Sequence, residues 1–294
     1  MPIDDDALPG LPPRPTRAFK GSFGTVVVIG GHATMVGAPC FVALGALRAG
    51  CGSVRLAVSD EIMTACLTMV PSAIGLPRPA DAMPAMDGLA GAVIAAGPGL
   101  GLAEGQRRLI GQVLRSPHPL VLDGDGLTHL AHSGTHPATR SAPLVLTPHL
   151  GEYGRLAAAW SLPELAITAS DEERRAAARQ LAASSGAVVV IKGHRSVVAT
   201  AQESWICRSG SAALAIPGSG DVLSGVISAL MAQGMPAYDA TRLGTHLHGM
   251  AGDRWAETRP FGLLAADLAE LIPEVAHSYA LLQRIASVPG AERH

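Results

Sequence analysis

The chain has 294 residues, 48% of them apolar and only 16% charged, enough to bury a sizeable core in one large domain or two small ones. A formal net charge of −2, with 11 histidines counted neutral, argues against a general nucleic-acid binder, which carries a basic surface. It leaves room for a small local anion site. No apolar run reaches the length of a membrane span without a glycine, proline or charge, and the acidic, proline-rich start MPIDDDALPGLPPRP lacks the basic and apolar regions of a secretory signal. We therefore expect a soluble cytoplasmic protein without a membrane partner.

In chain order, residues 1–18 read as a flexible segment. Thr25–Gly30 is a β-branched run stopped by Gly30-Gly31, hence a strand. Pro39–Ala49 is small and apolar, a helix ending near Gly50. Ser53–Val58 is a strand, and Ser59 reads as the N-cap of a helix through about Met69. Ala92–Ala96 is a buried strand entering Gly97-Pro98-Gly99-Leu100-Gly101, and Glu104–Leu114 is an amphipathic helix. Leu120–Leu122 is a strand ending at Asp123 and Asp125, and Leu144–Leu146 one ending at Thr147-Pro148-His149. Gly151–Ala159 and Asp171–Ala183 read as helices, the second capped by Ser170. Ala187–Ile191 is a strand ending in Lys192-Gly193, and Ser196–Thr200 with Ser204–Cys207 can form a hairpin. Three helices complete the chain, one to about Gln233, one over Ala237–Ala256 and one from about Ala265.

Apolar strands flanked by helices predict an α/β fold with a mostly parallel central sheet covered on both faces. With no repeat, linker or charge block, one domain over 19–285 is expected, with 286–294 as a tail. Cys40, Cys51, Cys66 and Cys207 form no C-x-x-C pair, so they read as buried free thiols in a reducing compartment.

The candidate sites all follow strand ends, the edge where open α/β sheets bind ligands. Gly30-Gly31-His32 reads as a structural turn or a phosphate loop, and Gly97–Gly101 lacks a full dinucleotide fingerprint. Asp123 and Asp125 are candidates for a magnesium site or for a helix cap. His149 either meets a ligand or caps a helix. His246 and His248, two apart, face different sides of a helix and so do not share a metal.

The stretch IPGSGDVLSG (216–225) carries the clearest signal. Gly218-Ser219-Gly220-Asp221 sits where a helix begins, so unpaired amides can hold an anion while glycine permits close approach. A carboxylate beside such a site repels the anion unless it has work there. Taking a proton from a hydroxyl that attacks a phosphoryl group is such work. Lys192 at a strand end can balance phosphate charge.

The ordered set KGSFGTVVVIGG (20–31), GAP (37–39), ALRAGCG (46–52), GPGLG (97–101), LDGDGL (122–127), TPHLGEY (147–153), KGH (192–194), GSGDVLSG (218–225), LHGMAGD (247–253) and FGLLAADL (261–268) resembles the ADP/ATP-dependent (S)-NAD(P)H-hydrate dehydratases of the ribokinase-like superfamily. The resemblance implies a ribokinase-like three-layer sandwich and a lyase that repairs hydrated NADH or NADPH by phosphorylating the ring hydroxyl and eliminating phosphate. It implies Mg2+, with ADP or ATP as phosphoryl donor. By position, Asp221 is then the catalytic base and a substrate contact, with Ala38, Gly99, Gly101 and His149 on the hydrated dinucleotide. Lys192, Gly193, His194, Arg195, Ser196, Gly218, Ser219 and Gly220 line the nucleotide. The chain departs from the family pattern at His32, Gly124, Gly126, Ser196 and Ile216. A homotetramer is expected, working with a separate NAD(P)H-hydrate epimerase, since the family's fused epimerase domain has no room here. The alternatives are a small-alcohol kinase of the hydroxyethylthiazole or pyridoxine type, favoured by a stable phosphorylated product, and a non-catalytic nucleotide sensor, which need not keep Asp221.

Overall fold

The computed structural model describes residues 7–133, 137–259 and 261–286. β1 (Thr25–Ile29), α1 (Gly37–Arg48), β2 (Ser53–Ala57), α2 (Asp60–Met69) and the short β3 (Ile74–Gly75) form the first half-sheet. β4 (Val93–Ala96), α3 (Glu104–Arg115), β5 (Leu120–Leu122), α4 (Asp125–His132), β6 (Leu144–Leu146), α5 (Leu150–Ala159), α6 (Asp171–Ser185) and β7 (Val188–Ile191) form the second. The hairpin β8 (Val197–Ala199) and β9 (Ser204–Ile206) extends it, and α7 (Ser219–Ala232), α8 (Ala237–Ala256) and α9 (Ala265–Ala286) follow.

The sheet runs β3-β2-β1-β4-β5-β6-β7-β8-β9, parallel from β3 to β7 and antiparallel through β8 and β9. The strands are apolar on both faces because helices cover both. Val27, Ile29, Ile94 and Leu122 pack against Leu109, Leu127, Tyr153 and Leu181 of α3 to α6. On the other face Val93, Val121 and Val190 meet Val222, Val226, Leu243 and Leu268 of α7 to α9, while Val26 and Val28 meet α1 and α2. This is the three-layer arrangement expected.

Strand order reverses between β1 and β4, so the loops leaving these strands diverge to opposite faces and open a crevice. The two loops are stitched across it by the Gly31 amide, which donates to the Pro98 carbonyl at 2.9 Å.

Two expectations about ends need correction or completion. Ser59 does occupy the N-cap position of α2, but its hydroxyl makes no capping bond. Residues 7–18, part of the segment read as flexible, lie against the helical layer. Leu8 and Leu11 join the core of α7 to α9, Tyr279 Oη donates to the Pro9 carbonyl at 2.8 Å, and Arg14 reaches the Gly50 carbonyl. Residues 1–6 and 287–294 of the expected flexible ends lie outside the described residues. All four cysteines are free and buried, and no helix among the described residues is long and apolar enough to cross a membrane.

α1 and α7 cross in backbone contact. A Cβ on Gly45 would lie 2.4 Å from the Val222 carbonyl oxygen, and one on Gly225 would lie 2.1 Å from that of Val42. Backbone cannot retreat as a flexible side chain does, so Gly225→Ala forces the helices apart. We expect it to lower unfolding free energy by about 3 kcal/mol, read as a lower urea midpoint with an unchanged slope; an unchanged midpoint would refute the close-packing account.

Candidate active site

At the crevice, glycines allow backbone to approach backbone. Gly97 has φ +114°, and a Cβ there would strike the Asp123 carbonyl at 2.0 Å. A Cβ on Gly99 would come within 2.9 Å of the Ala38 Cβ, and one on Gly101 within 2.7 Å of the His32 ring. Ala38, Gly99 and Gly101, predicted from sequence as substrate contacts, therefore form one wall. Gly101 is pinned on both sides: its amide donates to Asp125 Oδ2 at 2.8 Å and its carbonyl meets His129 Nε2 at 2.8 Å.

Next to this wall the ends of β5, β6 and β7 bring charges together. Asp123 is 2% exposed. Its Oδ1 accepts from Lys192 Nζ at 2.6 Å and from the Gly124 amide at 2.9 Å, and its Oδ2 accepts from Ser224 Oγ at 2.7 Å. Glu152 Oε2 lies 3.8 Å from the same lysine. A Cβ on Gly220 would sit 3.0 Å from Lys192 Nζ and 3.7 Å from Asp123 Oδ2, so the glycine loop rests directly on this pair. Asp221 follows within the same first turn.

The electrostatics follow from burial. Asp221 is pushed up to about 8, first by loss of water, then by the charge of Asp123, against the opposing pull of Lys192. Glu152 is pushed up to about 7 by burial, with Lys192 opposing and Asp123 adding to the rise. Burial works to lower Lys192 but is outweighed by Asp123 and Glu152, which hold the ammonium above its ordinary range. Carboxylates thus outnumber the lysine they share.

His149 is the N-cap of α5. Its Nδ1 accepts from the Gly151 and Glu152 amides at 3.0 and 3.3 Å, and Glu152 Oε2 accepts from the His149 amide at 2.8 Å, a reciprocal capping box. Two donors on Nδ1 fix the ring as the neutral tautomer with its proton on Nε2. Burial, then Lys192, lowers its pKa in agreement. Of the two sequence readings the cap is the one made, and the ring stays more than half exposed beside Lys192, with which it shares a parallel bridge.

The predicted nucleotide loop lies at the β7 exit. Gly193 and Ser196 close it on themselves, the Gly193 amide donating to Ser196 Oγ at 3.3 Å. Arg195 is held left-handed at φ 55°, a conformation costly for a side-chain residue. α6 holds it there: Arg174 Nη1 donates to the His194 and Arg195 carbonyls at 2.6 and 3.0 Å, and Asp171 pairs with Arg195 at 2.8 Å. At the other loop, Gly218 is left-handed at φ +85° and α7 begins at Ser219. The Ser219 amide turns back to the Ile216 carbonyl at 3.4 Å and the Val222 amide to that of Gly218 at 3.1 Å, leaving those of Gly220 and Asp221 between them as open donors.

Sequence reasoning gave no role to Glu152, Ser224 and Arg174, and weighed His248 only as a metal ligand. Each lies inside a helix pattern and owes its role to a neighbour remote in the chain. Asp123 and Asp125, read as a magnesium site or a helix cap, both carry protein partners; the N-cap of α4 is Gly124 with no side-chain capping bond, and no three acidic, histidine or cysteine side chains group as a ready metal cage among the described residues. The residues still fit Mg2+: it binds through one or two carboxylates plus phosphate and water, and Asp123, Glu152 and Asp221 leave this pocket short of positive charge.

The Asp221 value has a consequence for stability. The folded chain keeps this proton up to about pH 8, whereas an unfolded aspartate releases it near 3.8. Between those values the folded state binds the extra proton, so its contribution is lost as pH rises through the window. Asp221→Asn removes that loss. We expect the nucleotide-free variant to melt with wild type near pH 4 and about 5–10 °C above it near pH 8.5; a pH-independent difference would sink the assignment.

A family profile described as NAD(P)H-hydrate dehydratase matches residues 26–274. The ADP-dependent (S)-NAD(P)H-hydrate dehydratase of Neisseria meningitidis is 36% identical, over 87% of this chain and 86% of its own. The bifunctional NAD(P)H-hydrate repair enzyme of Thermofilum pendens is 37% identical over 92% of this chain but 53% of its own, so the chain spans about half the length of such relatives. The crystal structure of an ADP/ATP-dependent NAD(P)H-hydrate dehydratase from Bacillus subtilis, co-crystallised with ATP/Mg2+, superposes with a TM-score of 0.81 at 28% identity, covering 92% of this chain and 95% of that one. The expected ribokinase-like fold is the one found. With a profile match over most of its length, this chain belongs to the NAD(P)H-hydrate dehydratase family.

Proposed function

We propose that the chain returns (S)-NAD(P)H hydrate to NAD(P)H with an adenine nucleotide as phosphoryl donor, a metabolite-repair reaction. One observation carries the chemistry: a half-buried, proton-hungry carboxylate, Asp221, in the same helical turn as open backbone amides. An ordinary aspartate is a weak base for a hydroxyl, and one raised to about 8 is stronger.

In this reading the ring hydroxyl lies between Asp221 and the wall of Ala38, Gly99 and Gly101, with exposed His149 facing the same dinucleotide. Asp221 takes the hydroxyl proton as the oxygen attacks the terminal phosphorus of the nucleotide, and the bond to the leaving nucleotide breaks. The amides of Gly220 and Asp221 meet the charge on the transferring group. The ring carbon–oxygen bond then breaks with its electrons leaving on phosphate, a proton is lost from the adjacent ring carbon, and the ring double bond returns. Phosphate replaces hydroxide as leaving group, which is why a kinase-like site serves a lyase. The strained loop of Lys192, Gly193, His194, Arg195 and Ser196, with Gly218 and Ser219 opposite, lines the nucleotide.

Mg2+, held by Asp123, Asp221 or Glu152, supplies charge neutralisation of the nucleotide phosphates. ADP is the proposed donor, as named for the Neisseria relative, with ATP the alternative. A cytoplasmic homotetramer working beside an NAD(P)H-hydrate epimerase belongs to the same proposal, since a dehydratase selective for the S form leaves the R form unrepaired.

Hydrated NADH mixed with protein, magnesium and ADP or ATP should regain absorbance at the reduced-nicotinamide band only when nucleotide is present. No recovery with substrate verified to contain the S form would reject this function. Asp221→Asn should lower turnover by at least about 100-fold while ADP affinity, by calorimetry, stays level or improves. Gly220→Val, whose Cβ would press on Lys192 Nζ at 3.0 Å, should weaken ADP binding by about tenfold or more.

A further inference from the structure

The motif LHGMAGD (247–253) has no part in the chemistry above, yet its helix face, with His246 beside it, holds residues 209–214 on the way into the anion loop. Ser209 Oγ donates to the His246 carbonyl at 2.9 Å, and Ser211 Oγ to that of Gly252 at 3.0 Å. The Gly210 amide donates to Asp253 Oδ2 at 2.8 Å. Gly249 and Gly252 are small because the segment lies on them: a Cβ would stand 2.3 Å from Ser209 Oγ at the first and 2.5 Å from Leu214 Cγ at the second. These contacts fix residues 209–214. One side chain of α8 reaches farther, to the first residue of α7.

His248 Nε2 lies 3.0 Å from the Ser219 carbonyl oxygen and 3.1 Å from Ser219 Oγ. A carbonyl only accepts, so Nε2 carries the ring proton and donates. Ser219 is one residue before Gly220 and two before Asp221, whose amides are the open donors. Turning the Ser219 peptide turns the Gly220 amide with it, because the carbonyl and the next amide share one rigid plane.

We propose that His248 is the positioning residue of the anion loop: by holding the Ser219 carbonyl from beneath, it sets the direction in which the Gly220 amide points. This rests on the reading that those amides bind the nucleotide's phosphoryl group. Burial, partly offset by the bond to Ser219, lowers the His248 pKa to about 4, so the ring stays a neutral donor throughout the working range and adds no charge of its own.

The test compares two substitutions in the full chain. His248→Gln keeps a terminal N–H donor; His248→Leu keeps bulk and removes it. ADP affinity is measured by calorimetry, and melting temperature alongside. The proposal expects the leucine variant to bind ADP about tenfold more weakly and the glutamine variant to stay within about threefold of wild type. A leucine variant that melts earlier but binds ADP like wild type would show a purely structural histidine and overturn it. So would a glutamine variant as weak as the leucine one. If wild type itself binds no ADP, the nucleotide reading fails instead, an outcome distinct from either.

Discussion

The 2.6 Å contact between Lys192 Nζ and Asp123 Oδ1 ties the parts of this molecule that matter for chemistry. The two residues end β7 and β5, on either side of β6, and their side chains close over the sheet edge. Asp123 is almost without solvent. Left unpaired, such a charge costs several kcal/mol, so the lysine is a condition of the carboxylate's burial rather than an addition to it. The same ammonium restrains Asp221 and Glu152 from rising further, and the same aspartate drives both upward. The glycine loop then sits on the pair, at a place where a Cβ on Gly220 would stand a tight 3.0 Å from Lys192 Nζ.

That placement depends on how α7 reaches the edge. The helix lies across β1, β4 and β5 and meets α1 backbone to backbone through Gly45 and Gly225. Larger residues at that crossing would lift α7 off the sheet and carry Asp221 away from Lys192. Small-residue packing in the core and close approach at the site are thus one constraint, expressed at the two ends of a helix.

Much of this was legible in the chain because strands buried on both faces must be apolar throughout. TVVVI, VIAA, LVL and VVVI announce themselves, and the glycine or proline after each marks its exit. β3 was not legible: two residues, Ile74 and Gly75, become a strand only because β2 offers them a partner. Within the site, the loop at 218–221 could be read from glycine and aspartate at a helix start. Glu152 could not, since its spacing within LGEYGRLAAA is that of any helix; its meaning comes from capping by His149 and from a lysine on another strand. Ser224 and His248 were hidden for the same reason. Asp123 and Asp125 drew attention correctly as a pair of carboxylates, but their neighbours divide them. One serves the lysine, and the other fixes the Gly101 wall.

The division explains why the site tolerates so much negative charge without collapsing. Asp125 spends its charge on a backbone amide, which satisfies an oxygen without adding a cation. Asp123 spends its two oxygens on a lysine, an amide and a hydroxyl. Asp221 is the carboxylate whose proton affinity is raised most and which lies in the same first turn of α7 as the open amides. A structure selected only for stability would neutralise it, as an asparagine would do at no loss of packing. In the proposed reaction, the cost of its raised proton affinity, which grows with pH, is what a base able to hold a proton taken from a hydroxyl requires, beside Asp125 and Asp123 that already serve an amide and a lysine.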